Sequence, residues 1–123
     1  MDDESRVAMT KRMMHLNAAA FSTVRAGTKA IEVRLNDPKR QQLQVGDTIT
    51  FVSLADSQQQ VATRVVSLRV FTTFAQLYQQ YPHEAVGSLA TDSLAQMVAE
   101  TYETYAPERE RQWGALAIGV QLV

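Results

Sequence analysis

The feature that most constrains this fold is one long stretch of alternating apolar and polar residues, at positions 61–71. Alternation with a period of two residues indicates a half-buried β-strand. The apolar phase changes within the stretch, and the residues that carry the two phases are Val61 and Val65, then Val66, Leu68 and Val70. A β-bulge near Val65 explains that change and bends the strand, which helps a sheet to curve into a barrel.

The rest of the chain supplies further short strands separated by helical segments. Residues 13–16, 29–35, 48–54 and 115–122 predict strands, and residues 18–26, 73–81 and 92–105 predict helices. Strands that are interrupted by helices in this order favour an α+β fold or a small barrel over a repeated βαβ array. At 123 residues, the chain has the size of one domain.

Several helix boundaries are marked by capping residues. Asn17 is a good N-cap, with Leu16 and Phe21 placed as a hydrophobic staple, and Gly27 suits the left-handed position after the helix. Thr73 has capping-box spacing before the next helix. The chain-breaking residues that follow are Pro82, expected to end that helix, and Pro107, expected to begin a short turn.

Composition excludes several classes of site. There is no cysteine, so disulfides, thiolate metal sites and cysteine nucleophiles are excluded. His15 and His83 are the only histidines and lack metal-ligand spacing, so neither a metal nor another cofactor is expected. Residues 1–11 read as a flexible, acidic N-terminal tail rather than a signal peptide, with one domain over residues 12–123. We therefore expect a cytoplasmic protein that does not engage membranes.

Charge is unevenly distributed along the chain. Positions 11–40 carry seven basic residues against two acidic ones, an excess of five positive charges. The basic residues are Lys11, Arg12, Arg25, Lys29, Arg34, Lys39 and Arg40. An anionic ligand is expected to contact this part of the chain. An ordinary mixed surface is the alternative interpretation.

The segment at positions 27–34 combines a turn with a strand that carries three charged residues. Lys29, Glu32 and Arg34 provide an ammonium, a carboxylate and a guanidinium within one strand length. Such a trio can hold a phosphate and hydrogen-bond the edge of a base. Alternatively, Glu32 and Arg34 are solvated side chains on the outer face of an amphipathic strand.

This segment resembles the G-x-K-x-x-E-x-R motif of the ASCH domain family, which has a PUA-like fold. Three further segments agree in order with the family, at positions 43–51, 66–77 and 113–118. The resemblance implies a small PUA-like β-barrel with helices packed around it. It also implies binding of RNA or of a modified nucleotide or nucleoside, with Lys29, Glu32, Arg34, Arg25 and Arg40 as candidate ligand-binding residues.

A hydrolase is the alternative that the resemblance leaves open. Some small ASCH proteins are amidohydrolases that act on N4-acetylated cytidine, and other members look like ribonucleases. The amidohydrolases are thought to use a threonine where this chain has Glu32. An enzyme of this type would use Lys29 and Glu32 in acid and base roles, with Glu84 as a possible distant acid. A protein-binding adaptor is a third possibility.

The remaining polar and aromatic candidates have structural interpretations. Asp47 follows Gly46 and is expected to be a turn residue. Trp113 is placed at the start of the last strand, where packing is expected, although it could stack on a base. Four tyrosines lie on helical stripes and are expected in the core, namely Tyr78, Tyr81, Tyr102 and Tyr105.

Overall fold

A computed structural model describes residues 11–123, which form five β-strands and four α-helices. In chain order the elements are β1 (Lys11–Leu16), α1 (Ala18–Arg25), β2 (Ile31–Leu35), β3 (Thr48–Ser53), β4 (Gln60–Phe71), α2 (Phe74–Tyr78), α3 (Leu94–Tyr102), α4 (Pro107–Trp113) and β5 (Ala115–Leu122). Two short 3-10 turns span Arg40–Gln42 and His83–Val86. Strand β1 begins at Lys11, and the rest of the predicted N-terminal tail lies outside the described residues.

The strands form one sheet in the order β1-β3-β4-β5-β2. Strand β1 pairs with β3 in parallel, and the other three pairings are antiparallel. The sheet curls into a half-barrel, which leaves β1 and β2 as its two edge strands. We call the gap between these two edge strands the seam. The predicted α+β architecture is confirmed.

The long strand bends where the sequence predicted. The register of β4 against β5 shifts between Val65 and Ser67, which confirms the bulge near Val65. Gly119 lies opposite Ser67, and a Cβ atom at Gly119 would come within 2.0 Å of the Ser67 hydroxyl oxygen. The small residue at this position therefore allows the bulged strand to approach β5 closely.

The predicted helix starts are confirmed at two positions. The Asn17 side chain accepts a 2.9 Å hydrogen bond from the backbone N–H of Ala20, and it caps α1. The Thr73 hydroxyl accepts a 3.1 Å hydrogen bond from the backbone N–H of Gln76, and it caps α2. Each cap satisfies a backbone donor that the first helical turn leaves without a partner.

Several predicted ends need correction in the second half of the chain. Helix α2 ends at Tyr78, four residues before Pro82, and α3 is shorter at both ends than residues 92–105. Pro107 begins a helix of seven residues rather than a brief turn. Trp113 is the last residue of that helix, so its placement at a strand start was wrong. Gly114, with φ +80°, makes the break between α4 and β5.

Two apolar clusters cover opposite faces of the sheet. The cluster inside the half-barrel contains Met14, Leu16, Phe21, Val24, Leu43, Ile49, Phe51, Val65, Leu116, Ile118 and Val120. The other cluster joins β2 and β5 to the helices and contains Leu35, Phe74, Leu77, Tyr78, Val86, Met97, Ala115 and Ala117. Both faces of β5 are therefore buried, and this explains why its small residues alternate with branched ones.

The predicted core positions of the tyrosines are confirmed. Tyr78 is buried, and Tyr81, Tyr102 and Tyr105 are partly buried against the helix-side cluster.

Within residues 11–123, no helix is both long enough and apolar enough to cross a membrane.

Candidate functional site

Strand β2 directs its charged residues into the half-barrel. In the antiparallel pairing with β5, Glu32 lies opposite Ile118 and Arg34 lies opposite Leu116. Residues that are directly opposite each other in paired strands project from the same face of the sheet. Leu116 and Ile118 both belong to the cluster inside the half-barrel. Glu32 and Arg34 therefore extend the inner face, where β2 meets the seam.

Glu32 is buried between two cations. Only 3% of the residue is exposed. Its Oε2 atom accepts a hydrogen bond of 2.5 Å from Nε of Arg34, and its Oε1 atom lies 2.9 Å from Nζ of Lys29. The alternative interpretation of Glu32 as a solvated side chain is wrong, because β2 is covered on both faces rather than on one.

The second oxygen of this carboxylate can accept a further donor. The ammonium of Lys29 lies 2.9 Å from the buried Oε1 atom, and no other described residue donates to that atom. A carboxylate oxygen has two lone pairs and can accept from more than one donor. Oε1 is therefore a position where a donor group on a ligand would be stabilising.

Lys29 is held in place by the turn after α1. Gly27 adopts φ +82°, and the backbone N–H of Lys29 then donates to the carbonyl of Thr23 at 3.1 Å. The next backbone N–H, from Ala30, donates to the carbonyl of Ala85 at 3.0 Å. Gly87 packs so closely that a Cβ atom there would lie 3.0 Å from Cδ of Lys29. These contacts direct the lysine stem towards Glu32.

The Lys29–Glu32–Arg34 triad opens into a cleft of about 360 Å³, which we call the triad cleft. Its wall combines the end of β1, the middle of β2, and residues from the helical side of the protein. The lining residues are His15, Leu16, Asn17, Ala20, Lys29, Glu32, Val33, Arg34, Leu54, Tyr78, Val86, Thr101, Thr104 and Tyr105. The cleft therefore lies in the seam, and its lining mixes the charged triad with apolar and uncharged polar side chains.

Arg34 stays charged in this setting. Burial by itself lowers the pKa of Arg34, but the carboxylate of Glu32 and the hydroxyl of Tyr105 together raise that pKa above its ordinary value. Tyr105 is fixed by stacking on Phe74, with the ring centroids 5.7 Å apart and the planes 18° apart. The guanidinium is thus a permanent donor at the boundary of the cleft.

A tyrosine hydroxyl provides a further acceptor. The hydroxyl oxygens of Tyr78 and Thr101 are 2.6 Å apart, and the Thr101 hydroxyl donates to the carbonyl of Met97 at 2.9 Å. Because Thr101 has one hydroxyl proton, Tyr78 must be the donor in their shared hydrogen bond. Burial raises the pKa of Tyr78, although its hydrogen bond to Thr101 opposes this effect, so the phenol stays neutral. Its remaining oxygen lone pairs can accept from a ligand.

Other predicted site residues lie elsewhere. Arg25 is exposed and its guanidinium carbon lies 5.1 Å from the centre of the Phe21 ring, away from the residues that line the triad cleft. Glu84 is exposed and is also absent from the cleft wall. Arg40 lines a neighbouring cavity in the same seam. Asp47 is fully buried and accepts from the backbone N–H of Gln44 at 3.0 Å, as a turn residue should.

One histidine and two tyrosines are among the cleft residues that were missed as site candidates. His15 was expected to bond locally, and Tyr78 and Tyr105 were expected only to fill the core. Apolar periodicity places the tyrosines on a buried stripe but does not reveal that their hydroxyls reach a cleft. The alternation of β1 could have placed His15 on one face of its strand, but only the curl of the sheet brings it opposite β2.

No metal site is apparent near the cleft. Across residues 11–123, no three His, Asp or Glu side chains are close enough to hold a metal ion together. The chemistry available in the cleft comes from an ammonium, a guanidinium, a carboxylate, an imidazole, an amide and several hydroxyls.

Comparison with known proteins places this chain in a family. The ASCH domain model matches residues 14–123. No curated protein matches the sequence. Among solved structures, hypothetical protein PH0355 aligns with a TM-score of 0.81 and 30% identity, over 93% of this chain and 100% of that one. The solution structure of protein PF0455 from Pyrococcus furiosus aligns with a TM-score of 0.75 and 25% identity, over 93% and 98% of the two chains.

A third structure extends the likeness of fold. The crystal structure of a mutant ZmASCH protein from Zymomonas mobilis aligns with a TM-score of 0.65 over 93% of this chain and 69% of that one. At 14% identity it supports the fold alone. The predicted PUA-like fold is confirmed.

Proposed function

The chain belongs to the ASCH domain family, and on that premise we propose that it binds RNA or a modified nucleotide through the triad cleft. Lys29, Glu32 and Arg34 are the residues that contact the ligand in this proposal. Family membership makes a nucleic-acid ligand the starting hypothesis, and the chemistry of the cleft supports it.

The observation that carries the proposal is the buried oxygen Oε1 of Glu32, which contacts the Lys29 ammonium at 2.9 Å, receives no other donor from the described residues, and can accept a second one. The amino and imino groups of nucleobases are donors of the required kind, and glutamate accepts from such groups when proteins read base edges. Lys29 and Arg34 both lie within 2.9 Å of the carboxylate, so the acceptor is held in a fixed position in the cleft.

The shape and polarity of the cleft also suit a base. Val33, Leu54 and Val86 provide apolar wall, whereas the Tyr78 oxygen and the Arg34 guanidinium provide one more acceptor and one more donor. A planar heterocycle with both donors and acceptors on one edge can satisfy these groups together. An aliphatic ligand would leave them unpaired.

Fluorescence anisotropy with short labelled RNAs tests the proposal. Binding should weaken as salt is raised, and it should be lost in Glu32→Gln and Lys29→Met. Glu103→Gln is the matched control, because Glu103 is exposed and lies outside the cleft wall. Circular dichroism should verify that each variant is folded. Equal binding by wild type, Glu32→Gln and Lys29→Met would overturn the proposal.

A small hydrolase is the second candidate function, favoured by the 2.9 Å contact between Lys29 Nζ and Glu32 Oε1. In this alternative, Glu32 takes a proton from water as the water oxygen attacks the acyl carbon of an acylated nucleoside. Lys29 then gives a proton to the departing amine, so that the acyl group leaves as an acid. Glu84 is exposed and outside the cleft wall, so this scheme does not use it.

Turnover of N4-acetylcytidine, followed by the release of cytidine, tests the alternative. Activity that is lost in Lys29→Met and kept in Glu103→Gln would support the hydrolase. If wild type and Lys29→Met release cytidine at the same rate, the hydrolase is ruled out for this substrate.

A further inference from the structure

A second cavity lies beside the triad cleft in the same seam. It has a volume of about 440 Å³, and we call it the basic pocket. Its charged lining consists of Lys11, Arg12, Arg34, Lys39 and Arg40, with His15 beside them. No carboxylate is among the described residues that line it. The basic pocket is therefore suited to an anion.

The two cavities share part of their walls. His15 from β1 and Arg34 from β2 line both of them. The shared residues come from the two edge strands, so both cavities open into the seam. One ligand could therefore place its base in the triad cleft and extend an attached group past Arg34 into the basic pocket.

The basic pocket is held in shape by contacts outside its lining. Nη2 of Arg12 donates to the carbonyl of Gln42 at 3.1 Å, and Nε of Arg12 lies 3.6 Å from the fully buried carboxylate of Asp47. These contacts occupy only part of the guanidinium, which has five N–H donors. Arg12 is thus oriented by its neighbours and still has donors to offer.

Arg40 is anchored in a similar way. Its Nη1 atom donates to Oδ2 of Asp37 at 3.0 Å, and its backbone N–H donates to Oδ1 of the same carboxylate at 3.1 Å. A guanidinium that is positioned before a ligand arrives loses less entropy on binding. A planar guanidinium can also donate to two oxygens of the same phosphate, an arrangement that a monatomic anion does not offer.

From this arrangement we infer that the basic pocket binds a phosphate group joined to the nucleoside in the triad cleft. The ligand class is then a phosphate ester of a nucleoside, in a mononucleotide or in an RNA strand, and a free nucleoside would fill only half of the site. This inference rests on the proposed function for the position of the base, whereas the phosphate subsite stands on the basic pocket alone.

Inorganic phosphate is the first probe. Titration of the 15N-labelled protein with sodium phosphate, at constant ionic strength, should shift the amide resonances of β1 and of the turn at residues 39–43. The apparent affinity should fall by roughly tenfold or more in Arg12→Gln and in Arg40→Gln, and it should be unchanged in Arg109→Gln. Arg109 is the matched control, because it is exposed on α4 and lines neither cavity.

Substitution of an exposed residue distinguishes loss of phosphate binding from misfolding. Lys39 is exposed, so Lys39→Gln should preserve the fold and still weaken phosphate binding. The inference is overturned if wild type shows no phosphate-dependent shifts in these regions, or if all three pocket variants bind phosphate as wild type does.

A second set of titrations identifies the source of the phosphate. Nucleosides, their 5′- and 3′-monophosphates and dinucleotides are compared by calorimetry on wild type and Arg40→Gln. Tighter binding of a mononucleotide than of its nucleoside, lost in Arg40→Gln, supports the inference with a mononucleotide ligand. A preference that emerges only with the dinucleotide supports it with an RNA strand.

The two proposals can fail separately. RNA binding that needs Glu32 but is indifferent to Arg12, Lys39 and Arg40 would overturn the phosphate subsite and leave the proposed function intact. Arginine-dependent phosphate binding without any nucleotide binding would overturn the joint site and the proposed function, and it would leave the basic pocket as a phosphate site alone.

Discussion

The carboxylate of Glu110 accepts a 2.8 Å hydrogen bond from the backbone N–H of Phe74, across 36 positions of sequence. Its other oxygen accepts a 2.6 Å hydrogen bond from the hydroxyl of Tyr102. One buried side chain on α4 therefore ties together the start of α2 and the end of α3. These helices carry Tyr78, Thr101 and the neighbouring residues that form the helical wall of the triad cleft.

Removing this carboxylate should loosen the helical layer. We expect Glu110→Ala to lower the free energy of unfolding by about 3 kcal/mol, because the buried N–H of Phe74 and the Tyr102 hydroxyl both lose their acceptor. Glu110→Gln should cost less, since its amide oxygen can still accept one of the two bonds. Urea unfolding measures both values. Glu108→Ala, on the exposed side of α4, should be nearly neutral, and an equal cost for Glu108→Ala and Glu110→Ala would contradict this expectation.

The Tyr102–Glu110 hydrogen bond should give stability a dependence on high pH. This hydrogen bond is the main reason why the pKa of Tyr102 is raised above its ordinary value of about 10, and partial burial is the second reason. Below pH 10 the phenol is protonated in both states, so the bond contributes fully. Above pH 10, Tyr102 loses its proton in the unfolded chain before it does so in the folded protein. The stability that the hydrogen bond contributes is then lost as the pH rises through the raised pKa of the folded protein.

Comparison with Tyr102→Phe isolates that contribution. At pH 7 the variant should be less stable by about 1 kcal/mol, and the difference should shrink as the pH rises above about 10. Thermal unfolding across this range supplies the measurement. A difference that stays constant with pH would show that the hydroxyl contributes through packing rather than through its proton.

Two glycines with similar φ values should respond differently to alanine. Gly114 has φ +80° and ψ −173°, and a Cβ atom there would lie 2.7 Å from the carbonyl oxygen of Phe71. Gly27 has φ +82°, but its nearest contact would be Leu122 at 3.6 Å. We expect Gly27→Ala to cost about 1 kcal/mol from backbone strain alone. Gly114→Ala should cost about 3 kcal/mol or more, because a steric clash adds to the strain.

Chemical denaturation of both glycine variants checks this expectation. A larger cost at Gly114 is expected from two sources together, the extended positive-φ backbone that only glycine adopts readily and the crowding by Phe71. If Gly27→Ala is as damaging as Gly114→Ala, backbone strain accounts for both effects and the close approach of Phe71 is unimportant.

The buried triad should show strong energetic coupling. Glu32→Gln removes the only carboxylate between two largely buried cations, and we expect a loss of about 3 kcal/mol of stability. Arg34→Gln should cost less, because Lys29 remains 2.9 Å from Oε1 of Glu32. The double variant should cost less than the sum of the two single variants.

A surface pair provides the reference for this double-mutant cycle. Glu108 and Arg111 are 4.0 Å apart, with side chains that are 73% and 69% exposed, so their coupling should be close to zero. Urea unfolding of both cycles gives the two coupling energies. Equal couplings would mean that burial does not strengthen the Glu32–Arg34 interaction.

Local signals were sufficient to predict most of the framework. Asn17 and Thr73 cap their helices as the sequence indicated, since a capping side chain bonds to a backbone group three residues away. The bulge near Val65 was predictable for a related reason, because inserting one residue into a strand reverses the faces of all the side chains that follow. Helix α4 was missed because its charged sequence PERERQW has no apolar stripe, and its helix is fixed by Pro107 and by the distant partners of Glu110.

The mutual contact of the three candidate residues was predictable from the sequence, but their environment was not. The motif singled out Lys29, Glu32 and Arg34, and the structure brings all three together. Alternation along β2 suggested a solvated charged face, because a pattern of residues cannot reveal what covers a strand. The pairing of Glu32 with Ile118 is a contact between distant parts of the chain, and only that pairing turns the charged face inward.

The seam gives the site a mechanical property. The strands on its two sides stand first and last in the sheet order β1-β3-β4-β5-β2, and the described residues include no backbone pairing between them. A ligand that contacts both β1 and β2 would connect the two edges of the open half-barrel. Binding would then stabilise the half-barrel against separation of these two strands. Side chains that face the seam can be substituted without loss of a backbone hydrogen bond between strands.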